Sequence, residues 1–312
     1  MENVEGKTAF ITGGASGMGL GMAKAFLKAG MNVVIADVRE DALKEAVAEL
    51  GGSNRVYPVK LDVTDRDDWV RAADEAEKHF GPVHVLVNNA GVGVVGDLKD
   101  ATYKDWDFCM GVNLGGTING VQTFVPRMLK HGQGGHIVNN ASQSGAFASG
   151  QAGIYITAKM AVSGLSEALA SDLKDEGIGV SVYFPGPVQT NLGVSTQATR
   201  PEHLKNENEA QRQAANAAAR AHRPAFSADT FMSKEEVGER VLRGIRRNDL
   251  FIFSHPEFKA GMQARHDAIM RAVPDEAAPA ERAEVLKAFG TLLYNPIYED
   301  QQPVPAFEPE SK

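Results

Sequence analysis

Short runs of apolar, β-branched residues alternate with longer segments of helical periodicity, and this alternation constrains the fold more than any other feature of the chain. Gly, Asp, Asn or Pro bounds each short run, which indicates strands. The predicted strands cover residues 8–11, 32–36, 55–60, 83–87, 136–139, 180–184 and 250–254. The predicted helices cover residues 18–28, 40–50, 67–80, 103–129 and 155–175. The pattern predicts an α/β fold: a doubly wound parallel sheet of about seven strands, with helices on both faces and a crevice at the carboxyl ends of the strands.

The chain is expected to form one domain, residues 1–312, because no change of composition divides its first 190 residues. The pattern loosens over residues 192–230, where polar residues and Ala dominate and apolar positions are sparse. Because this segment directly follows the sixth strand, it lies near the crevice. We expect it to be a substrate lid, either a solvated helix or a mobile segment.

A further helix is predicted at residues 233–247, with Ser233 as its N-cap and Glu236 three residues later. Residues 256–312 form a predicted C-terminal extension that begins with helical periodicity. Its last part contains Pro296, Pro303, Pro305 and Pro309. Proline disfavours helix, so this end is expected to be extended. We expect the extension to cover either a partner subunit or the pocket.

Composition excludes several classes of function. The chain has 43% hydrophobic residues, enough for a sizeable core, and a formal net charge of −8. An acidic chain without a long Lys/Arg run is a poor partner for nucleic acid or anionic lipid. The single cysteine, Cys109, allows no intrachain disulfide and is expected to be a buried apolar group. Neither a signal peptide nor a membrane span is apparent, so we expect a cytoplasmic protein without a zinc cluster.

A glycine-rich turn, Thr12-Gly-Gly-Ala-Ser-Gly-Met-Gly19, joins the first predicted strand to the first predicted helix. Backbone amides at a helix N-terminus, with glycines that permit close approach, form a site for a diphosphate. The residues expected to bind a dinucleotide here are Gly13, Ser16, Gly17, Met18 and Gly19. No Gly-Lys-Ser/Thr ending follows, which disfavours a nucleoside triphosphatase loop.

Asp37 ends the second strand, about 20 residues after this turn. A carboxylate there accepts hydrogen bonds from both ribose hydroxyls of adenosine and repels a 2′-phosphate. The sequence therefore favours NAD over NADP. Arg39 argues the other way, since its charge can offset that repulsion, whereas Ser16 stands where a basic side chain would help to hold the extra phosphate.

Several motifs in register resemble those of the short-chain dehydrogenases/reductases, in the family's shorter, single-domain branch. They are Thr12-Gly13-x-x-x-Gly17-x-Gly19, Asn88-Asn89-Ala90-Gly91, Asn113, Ser142, Tyr155-x-x-x-Lys159 and Pro185-Gly186-x-Val188-x-Thr190. The resemblance covers residues 5–192 and extends more loosely to about residue 255. It implies a Rossmann-type fold, a nicotinamide cofactor and the oxidation of alcohols or reduction of ketones.

Tyr155 and Lys159 lie four residues apart on a predicted helix and share one face. A lysine ammonium near a phenol favours the phenolate, and the positive charge of an oxidised nicotinamide acts in the same direction. We therefore expect the pKa of Tyr155 to be lowered. Tyr155 can then take the alcohol proton while a hydride leaves for the nicotinamide. Ser142 would donate a hydrogen bond to the substrate oxygen, and no metal is required. By resemblance, Lys159 also holds the nicotinamide ribose, and Asn113, in a helix expected to be locally distorted, supports a water link from the lysine to solvent.

The resemblance assigns further cofactor contacts. Asp62 and Val63 would contact adenine, and Asn88 would support the cofactor together with Asn89, Ala90 and Gly91. Around the carboxamide side of the nicotinamide, the matching residues are Pro185, Gly186, Val188 and Thr190. Tyr155 and Lys159 count among the cofactor contacts as well as the catalytic residues.

The substrate site should be walled by residues that follow the fourth, fifth and sixth strands. The candidates are Ser142, Gln143, Phe147, Tyr155, Phe184 and Leu192, with Val94, Val95 and Gln151 nearby. Their apolar and aromatic character predicts a bulky, uncharged secondary alcohol or ketone, although core packing is an alternative for Phe147 and Phe184. The segments 124–128 and 255–257 are also similar to bacterial dehydrogenases that oxidise the benzylic alcohol of lignin-derived aryl ethers.

Two alternative functions remain open: a 3-oxoacyl reductase acting on a carrier protein, and a non-catalytic protein that senses dinucleotide. An acidic chain is a poor partner for an acidic carrier, and a sensor need not keep Ser142, Tyr155 and Lys159. The partner expected from the residues is a small-molecule substrate. The resemblance implies a homodimer or homotetramer formed through two long helices.

Overall fold

The computed structural model describes residues 1–150, 152–207 and 230–308. Within them, seven parallel strands form one sheet in the order β3-β2-β1-β4-β5-β6-β7. The strands are β1 Thr8–Thr12, β2 Asn32–Asp37, β3 Val56–Lys60, β4 Val85–Asn88, β5 Gly135–Asn140, β6 Ile178–Phe184 and β7 Phe251–Phe253. Their order reverses beside β1, so a crevice opens at the carboxyl ends of β1 and β4. The predicted Rossmann-type, doubly wound sheet is confirmed.

Eleven helices flank or extend this sheet in the described part of the chain. They are α1 Gly17–Lys28, α2 Glu40–Glu49, α3 Arg66–Phe80, α4 Tyr103–Met110, α5 Gly116–His131, α6 Gln143–Ala146, α7 Gly153–Asp172, α8 Leu192–Thr199, α9 Lys234–Arg247, α10 Lys259–Ala272 and α11 Ala280–Lys287. None of the helices among these residues is long and apolar enough to cross a membrane.

Two apolar cores hold the helices against opposite faces of the sheet. In β1, Ile11 belongs to the core shared with α1, α2 and α9, whereas its neighbour Phe10 belongs to the core shared with α3, α5 and α7. This division follows from the alternation of side chains along a strand. Phe10, Trp69 and Phe124 form the centre of the second core, with ring centroids 4.9–6.3 Å apart. Burial of each large side chain contributes about 1.5–3 kcal/mol, which fixes the strand ends that carry the site.

The helix predicted at residues 103–129 differs from the structure in one respect. A π-helical turn, Gly111–Gly115, separates α4 from α5. Such turns insert an extra residue into the helical ladder and frequently occur at functional sites. The local distortion predicted around Asn113 is therefore present. At the other end of the chain, Ser233 caps α9 as predicted, since its Oγ accepts the N–H of Glu236 at 3.1 Å.

The segment predicted as a lid begins with α8 and a short 3₁₀ turn, Glu202–Leu204. Residues 208–229 of this segment lie outside the described residues. The described part is attached to the domain by a buried ion pair. Arg200 Nη2 lies 2.8 Å from Asp105 Oδ1, and their side chains are 8% and 1% exposed.

The C-terminal extension packs on its own chain. After a 3₁₀ turn at Pro256–Phe258 come α10 and α11, and then irregular backbone from residue 299. Tyr298 donates a hydrogen bond to Glu167 of α7 at 2.5 Å, and the ring of Phe307 lies 4.2 Å from the guanidinium carbon of Arg240. Pro303 and Pro305 lie in backbone without regular secondary structure, whereas Pro296 begins a 3₁₀ turn. Pro309 lies outside the described residues.

Candidate active site

The glycine-rich turn connects β1 directly to the N-terminus of α1. Gly13 and Gly17 have φ values of +60° and +51°, a left-handed conformation that side chains disfavour. This conformation brings the start of α1 close to the end of β1, and the N-terminal amides of a helix are a binding site for anions. The sequence therefore places glycine where the backbone of an anion-binding turn requires it.

A cavity of about 370 Å³ opens from this turn along the carboxyl ends of the strands. It is lined by eleven of the predicted cofactor residues: Gly13, Ser16, Gly17, Met18, Asp37, Asp62, Val63, Asn89, Ala90, Gly91 and Thr190. Residues of α4, the π turn and the first part of the lid segment complete its wall: Asp107, Phe108, Gly111, Val112, Asn191, Leu192, Ser195, Thr199, Pro201, His203 and Leu204. Six residues that were also predicted to bind the cofactor do not line this cavity: Gly19, Tyr155, Lys159, Pro185, Gly186 and Val188. The residues that do line it fit an elongated dinucleotide.

Acidic and basic groups meet at the end of β2. Asp37 is 8% exposed, and its Oδ1 accepts the N–H of Arg39 at 3.1 Å. The Arg39 guanidinium lies 3.8 Å from the same oxygen and donates to Ser16 Oγ at 3.3 Å. Burial raises the pKa of Asp37, while the hydrogen bond and charge of Arg39 act in the opposite direction. Arg39 thus lies between the glycine-rich turn and the carboxylate.

Side-chain amides connect the floor of the cavity to the strands below it. Asn89 Nδ2 donates to the Thr12 carbonyl at 2.9 Å, and Asn140 Nδ2 donates to Asn89 Oδ1 at 2.9 Å. Asn140 Oδ1 is buried and has no hydrogen-bond partner among the described residues. A buried acceptor of this kind is costly unless a donor reaches it. Sequence analysis did not identify Asn140, although an asparagine two residues before Ser142, at the end of a buried strand, is an unusual core residue.

The π turn holds Asn113 in a fully buried position. Its side-chain amide pairs with both backbone groups of Val92, accepting the N–H at 3.0 Å and donating to the carbonyl at 3.0 Å. Asn113 Nδ2 also lies 3.2 Å from Cys109 Sγ. Asn113 therefore fixes the loop after β4, which carries Asn89, Ala90 and Gly91 into the cavity. Cys109 is fully buried, as expected.

Tyr155, Lys159 and Ser142 come together at the ends of β5 and α7. Lys159 Nζ donates to the main-chain carbonyl of Asn140 at 2.7 Å and lies 5.7 Å from the centre of the Tyr155 ring. Ser142 caps α6 and is a hydrogen-bond partner of Tyr155. Burial lowers the pKa of Lys159 to about 8. The arrangement puts a phenol, a hydroxyl and an ammonium at one edge of the sheet.

The predicted lowering of the Tyr155 pKa by Lys159 is wrong for the chain's own groups. Burial raises the pKa of this phenol, and the hydrogen bond with Ser142 opposes the rise only in part. The lysine ammonium donates its hydrogen bond to the Asn140 carbonyl and not to the phenol. Both Tyr155 and Lys159 are buried, and burial disfavours the charged form of each group. Lowering the phenol pKa therefore needs positive charge beyond that of Lys159.

The segment that follows β6 lies beside this group. The Pro185 carbonyl accepts the N–H of Gln143 at 2.9 Å, and Gly186 donates to Ser254 Oγ at 3.1 Å. Val188 forms a bridge with Met232. Only Thr190 of the predicted carboxamide-side residues lines the cavity.

The predicted substrate residues divide into two groups. Phe184 is 3% exposed and stacks on Phe253 with ring centroids 4.4 Å apart, which is core packing. Phe147 is half-buried, and Leu192 lines the cavity. Val94 and Tyr155 both pack against the small core cluster that contains Ile154, and Val95 is exposed. Gln151 lies outside the described residues.

Comparison with known proteins is consistent with this geometry. Residues 7–201 match the family described as short chain dehydrogenase. The C alpha-dehydrogenase of Sphingobium sp. (strain SYK-6) is 38% identical over 297 residues, 93% of this chain and 95% of that protein. The NADP-dependent (R)-specific alcohol dehydrogenase of Lentilactobacillus kefiri is 35% identical over 193 residues, 61% of this chain and 77% of that protein.

A solved structure shares the fold over nearly the whole chain. It is a short chain dehydrogenase/reductase from Burkholderia phymatum in complex with NAD, 34% identical, with a TM-score of 0.79. The alignment covers 90% of this chain and 100% of that chain. With the family matched over residues 7–201 and the fold shared with a solved member, this chain belongs to the short-chain dehydrogenase/reductase family of oxidoreductases.

Proposed function

We propose that this chain interconverts a secondary alcohol and its ketone, with Tyr155 as the proton-transferring residue and NAD as the cofactor. The observation that carries the proposal is the convergence of Tyr155, Ser142 and Lys159. They meet at the same end of the sheet as the cavity lined by the glycine-rich turn and Asp37. A nicotinamide cofactor held by the glycine-rich turn and Asp37 would supply the hydride acceptor for oxidation of the alcohol, or the hydride donor for reduction of the ketone. The chain itself must then bind, orient and move one proton.

Each residue of the group has its own role in the proposed reaction. Ser142 donates a hydrogen bond to the substrate oxygen and holds it near the phenol of Tyr155. Tyr155 takes the hydroxyl proton during oxidation and returns it during reduction. Lys159 supplies positive charge beside the phenolate and a donor for a ribose hydroxyl. Asn113 acts through the backbone of Val92, because its side chain reaches only buried groups.

The choice of NAD rests on Asp37. Its buried carboxylate lies in the cavity at the end of β2, where it accepts ribose hydroxyls and repels a 2′-phosphate. Arg39 lies within 3.8 Å and reduces that repulsion, so NADP is expected to work less well rather than not at all. The Burkholderia phymatum structure contains NAD, whereas the Lentilactobacillus kefiri relative is NADP-dependent.

A bulky apolar or aromatic secondary alcohol is the proposed substrate. The half-buried ring of Phe147 follows Ser142 by five residues, at the end of α6. The Sphingobium relative, aligned over 93% of this chain, is named a C alpha-dehydrogenase, which favours an alcohol next to an aryl group. We further propose a cytoplasmic homodimer or homotetramer. Neither a carrier-linked acyl reductase nor a non-catalytic sensor is favoured.

An absorbance screen at about 340 nm tests the proposal. The protein is assayed with NAD and with NADP against benzylic, alicyclic, steroidal and aliphatic secondary alcohols, and in reverse against the matching ketones. We expect turnover with NAD and a benzylic or other bulky alcohol. Cofactor binding without turnover of any alcohol or ketone in the panel would contradict the proposed reaction and favour the sensor.

A further inference from the structure

The C-terminal extension carries an aromatic side chain to the edge of the sheet that holds Ser142 and Tyr155. Phe258 ends the 3₁₀ turn Pro256–Phe258, which follows β7 and precedes α10. Its ring is half-buried and lies 6.2 Å from the ring of Phe147, at an angle of 60°. His255 stacks against Phe258, with ring centroids 5.4 Å apart. The extension therefore contributes to the surroundings of Phe147.

Two close approaches fix the start of the C-terminal extension at this edge. A Cβ atom on Gly186 would lie 2.6 Å from Phe258 Cζ and 2.7 Å from His255 Nδ1, so the ring rests directly on the backbone that follows β6. A Cβ atom on Gly261 would lie 3.0 Å from the Phe147 ring, so α10 rests directly on Phe147. Phe258 thus spans from the loop after β6 to the loop after β5.

These loops adjoin the reacting groups. Phe147 is the C-cap of the short helix α6, and Ser142 is its N-cap. The N–H of Gln143, the first residue of α6, donates to the Pro185 carbonyl, one residue before Gly186. An alcohol held by Ser142 and Tyr155 would therefore extend its larger substituent toward Phe147 and Phe258.

We propose that Phe258 of the C-terminal extension, together with Phe147, forms an aromatic wall of the substrate site that selects secondary alcohols bearing an aryl group. Tilted or offset rings attract each other beyond the burial of apolar area, since the edge of one ring meets the face of the other. A saturated ring of similar size buries comparable area but lacks this contact. The inference deepens the proposed function and rests on it.

A matched pair of alcohols separates aromatic selection from simple apolar fit. We would compare kcat/KM for methyl phenyl carbinol and methyl cyclohexyl carbinol, with NAD, in the wild type and in Phe258→Leu. The wild type should prefer the phenyl alcohol. The variant should lose about tenfold on it, equivalent to about 1.4 kcal/mol, and about twofold or less on the cyclohexyl alcohol.

Three further variants test the interpretation. Phe258→Tyr retains the ring and should retain the phenyl preference, and Phe147→Leu should reduce it as Phe258→Leu does. Phe289→Leu, in an exposed residue of the same extension, should leave both alcohols unaffected. If Phe258→Leu fails to fold, Phe147→Leu provides the same comparison.

The remaining outcomes overturn the inference. An equal loss on both alcohols would show that Phe258 only supports the fold, and an unchanged ratio would show that it does not face the substrate. If the wild type oxidises the cyclohexyl alcohol as well as the phenyl alcohol, aromatic selection fails while the proposed dehydrogenase activity stands. If the wild type oxidises neither alcohol and no member of the wider panel, the proposed function itself fails.

Discussion

Lys159 Nζ donates a hydrogen bond of 2.7 Å to the main-chain carbonyl of Asn140. The lysine is 3% exposed, and burial lowers its pKa from 10.5 to about 8. The folded chain therefore holds fewer protons than the unfolded chain between about pH 8 and pH 10.5. The free energy of unfolding therefore rises with pH across this window. Below about pH 8, Lys159 is charged in the folded chain, and burial of that charge lowers the free energy of unfolding by its full amount.

Replacement of this lysine by an apolar residue should stabilise the fold while abolishing activity. We expect Lys159→Met to raise the free energy of unfolding by roughly 1–3 kcal/mol near neutral pH. The gain should shrink as pH rises through the window, because the wild-type lysine then becomes neutral. Denaturant unfolding of both proteins at about pH 7 and about pH 10 measures it. A difference that is equal at the two pH values would show that Lys159 does not carry a buried charge.

The ion pair between Asp105 and Arg200 should hold the start of the lid segment over the cofactor cavity. Burial alone would raise the pKa of Asp105, but hydrogen bonds from Thr102, Arg200 and Asn206 outweigh it and lower the pKa to about 2. This contribution to stability is present above the unfolded value of 3.8 and is lost as pH falls toward 2.

We expect Asp105→Asn to cost about 3–5 kcal/mol near neutral pH, because it removes the charge of one member of a buried ion pair. It should also weaken NADH binding, because Thr199, Pro201, His203 and Leu204 line the cofactor cavity. Denaturant unfolding and NADH fluorescence titration check these effects. Arg71→Gln, which breaks an exposed pair with Asp68, is the control and should cost less than about 1 kcal/mol. Equal costs for the two variants would contradict the role of the buried pair.

Asp37 should set the preference for NAD. In Asp37→Ser, the hydrogen bonds to the adenosine ribose weaken and the repulsion of a 2′-phosphate is removed, while Arg39 remains to attract it. Since hydrogen bonds to a charged group contribute about 1.5–3 kcal/mol, the ratio of kcat/KM for NAD to that for NADP should fall by about 10–10²-fold. Steady-state kinetics with both cofactors measure the ratio. An unchanged ratio would mean that Asp37 does not contact the ribose.

The sheet and most of the cofactor cavity could be predicted from sequence because they follow local patterns. Strands such as Val85–Asn88 are short, buried β-branched runs, and the turn containing Gly13 and Gly17 requires glycine. Phe184 was harder to place, since an aromatic residue at a strand end can face either the core or a pocket. Its stacking on Phe253 of β7 decides in favour of the core.

Contacts between segments that are distant in the chain could not be predicted, because the local sequence around each residue does not indicate its partner. Arg200 reaches Asp105 across 95 positions, and nothing in either neighbourhood predicts that pairing. The same holds for Phe258, which lies beyond the part of the chain that resembles the family most closely. Asn140 differs from Arg200 and Phe258, because asparagine is an unusual residue at the end of a buried strand. Its presence there indicates a hydrogen-bond partner for its side chain. Sequence spacing gives the proximity of Tyr155 to Lys159 but not the direction of the ammonium. The rise that burial causes in the pKa of Tyr155, among the chain's own groups, therefore had no signal in the sequence.

The measurement that tests the central claim most directly is turnover by Tyr155→Phe. Removal of the hydroxyl retains the ring and its packing but leaves no group to exchange the substrate proton. We expect kcat to fall by about 10²–10⁴-fold, with NADH binding and unfolding close to those of the wild type. That result would support Tyr155 as the proton-transferring residue. Turnover at the wild-type rate in this variant, with NADH still bound, would contradict the account.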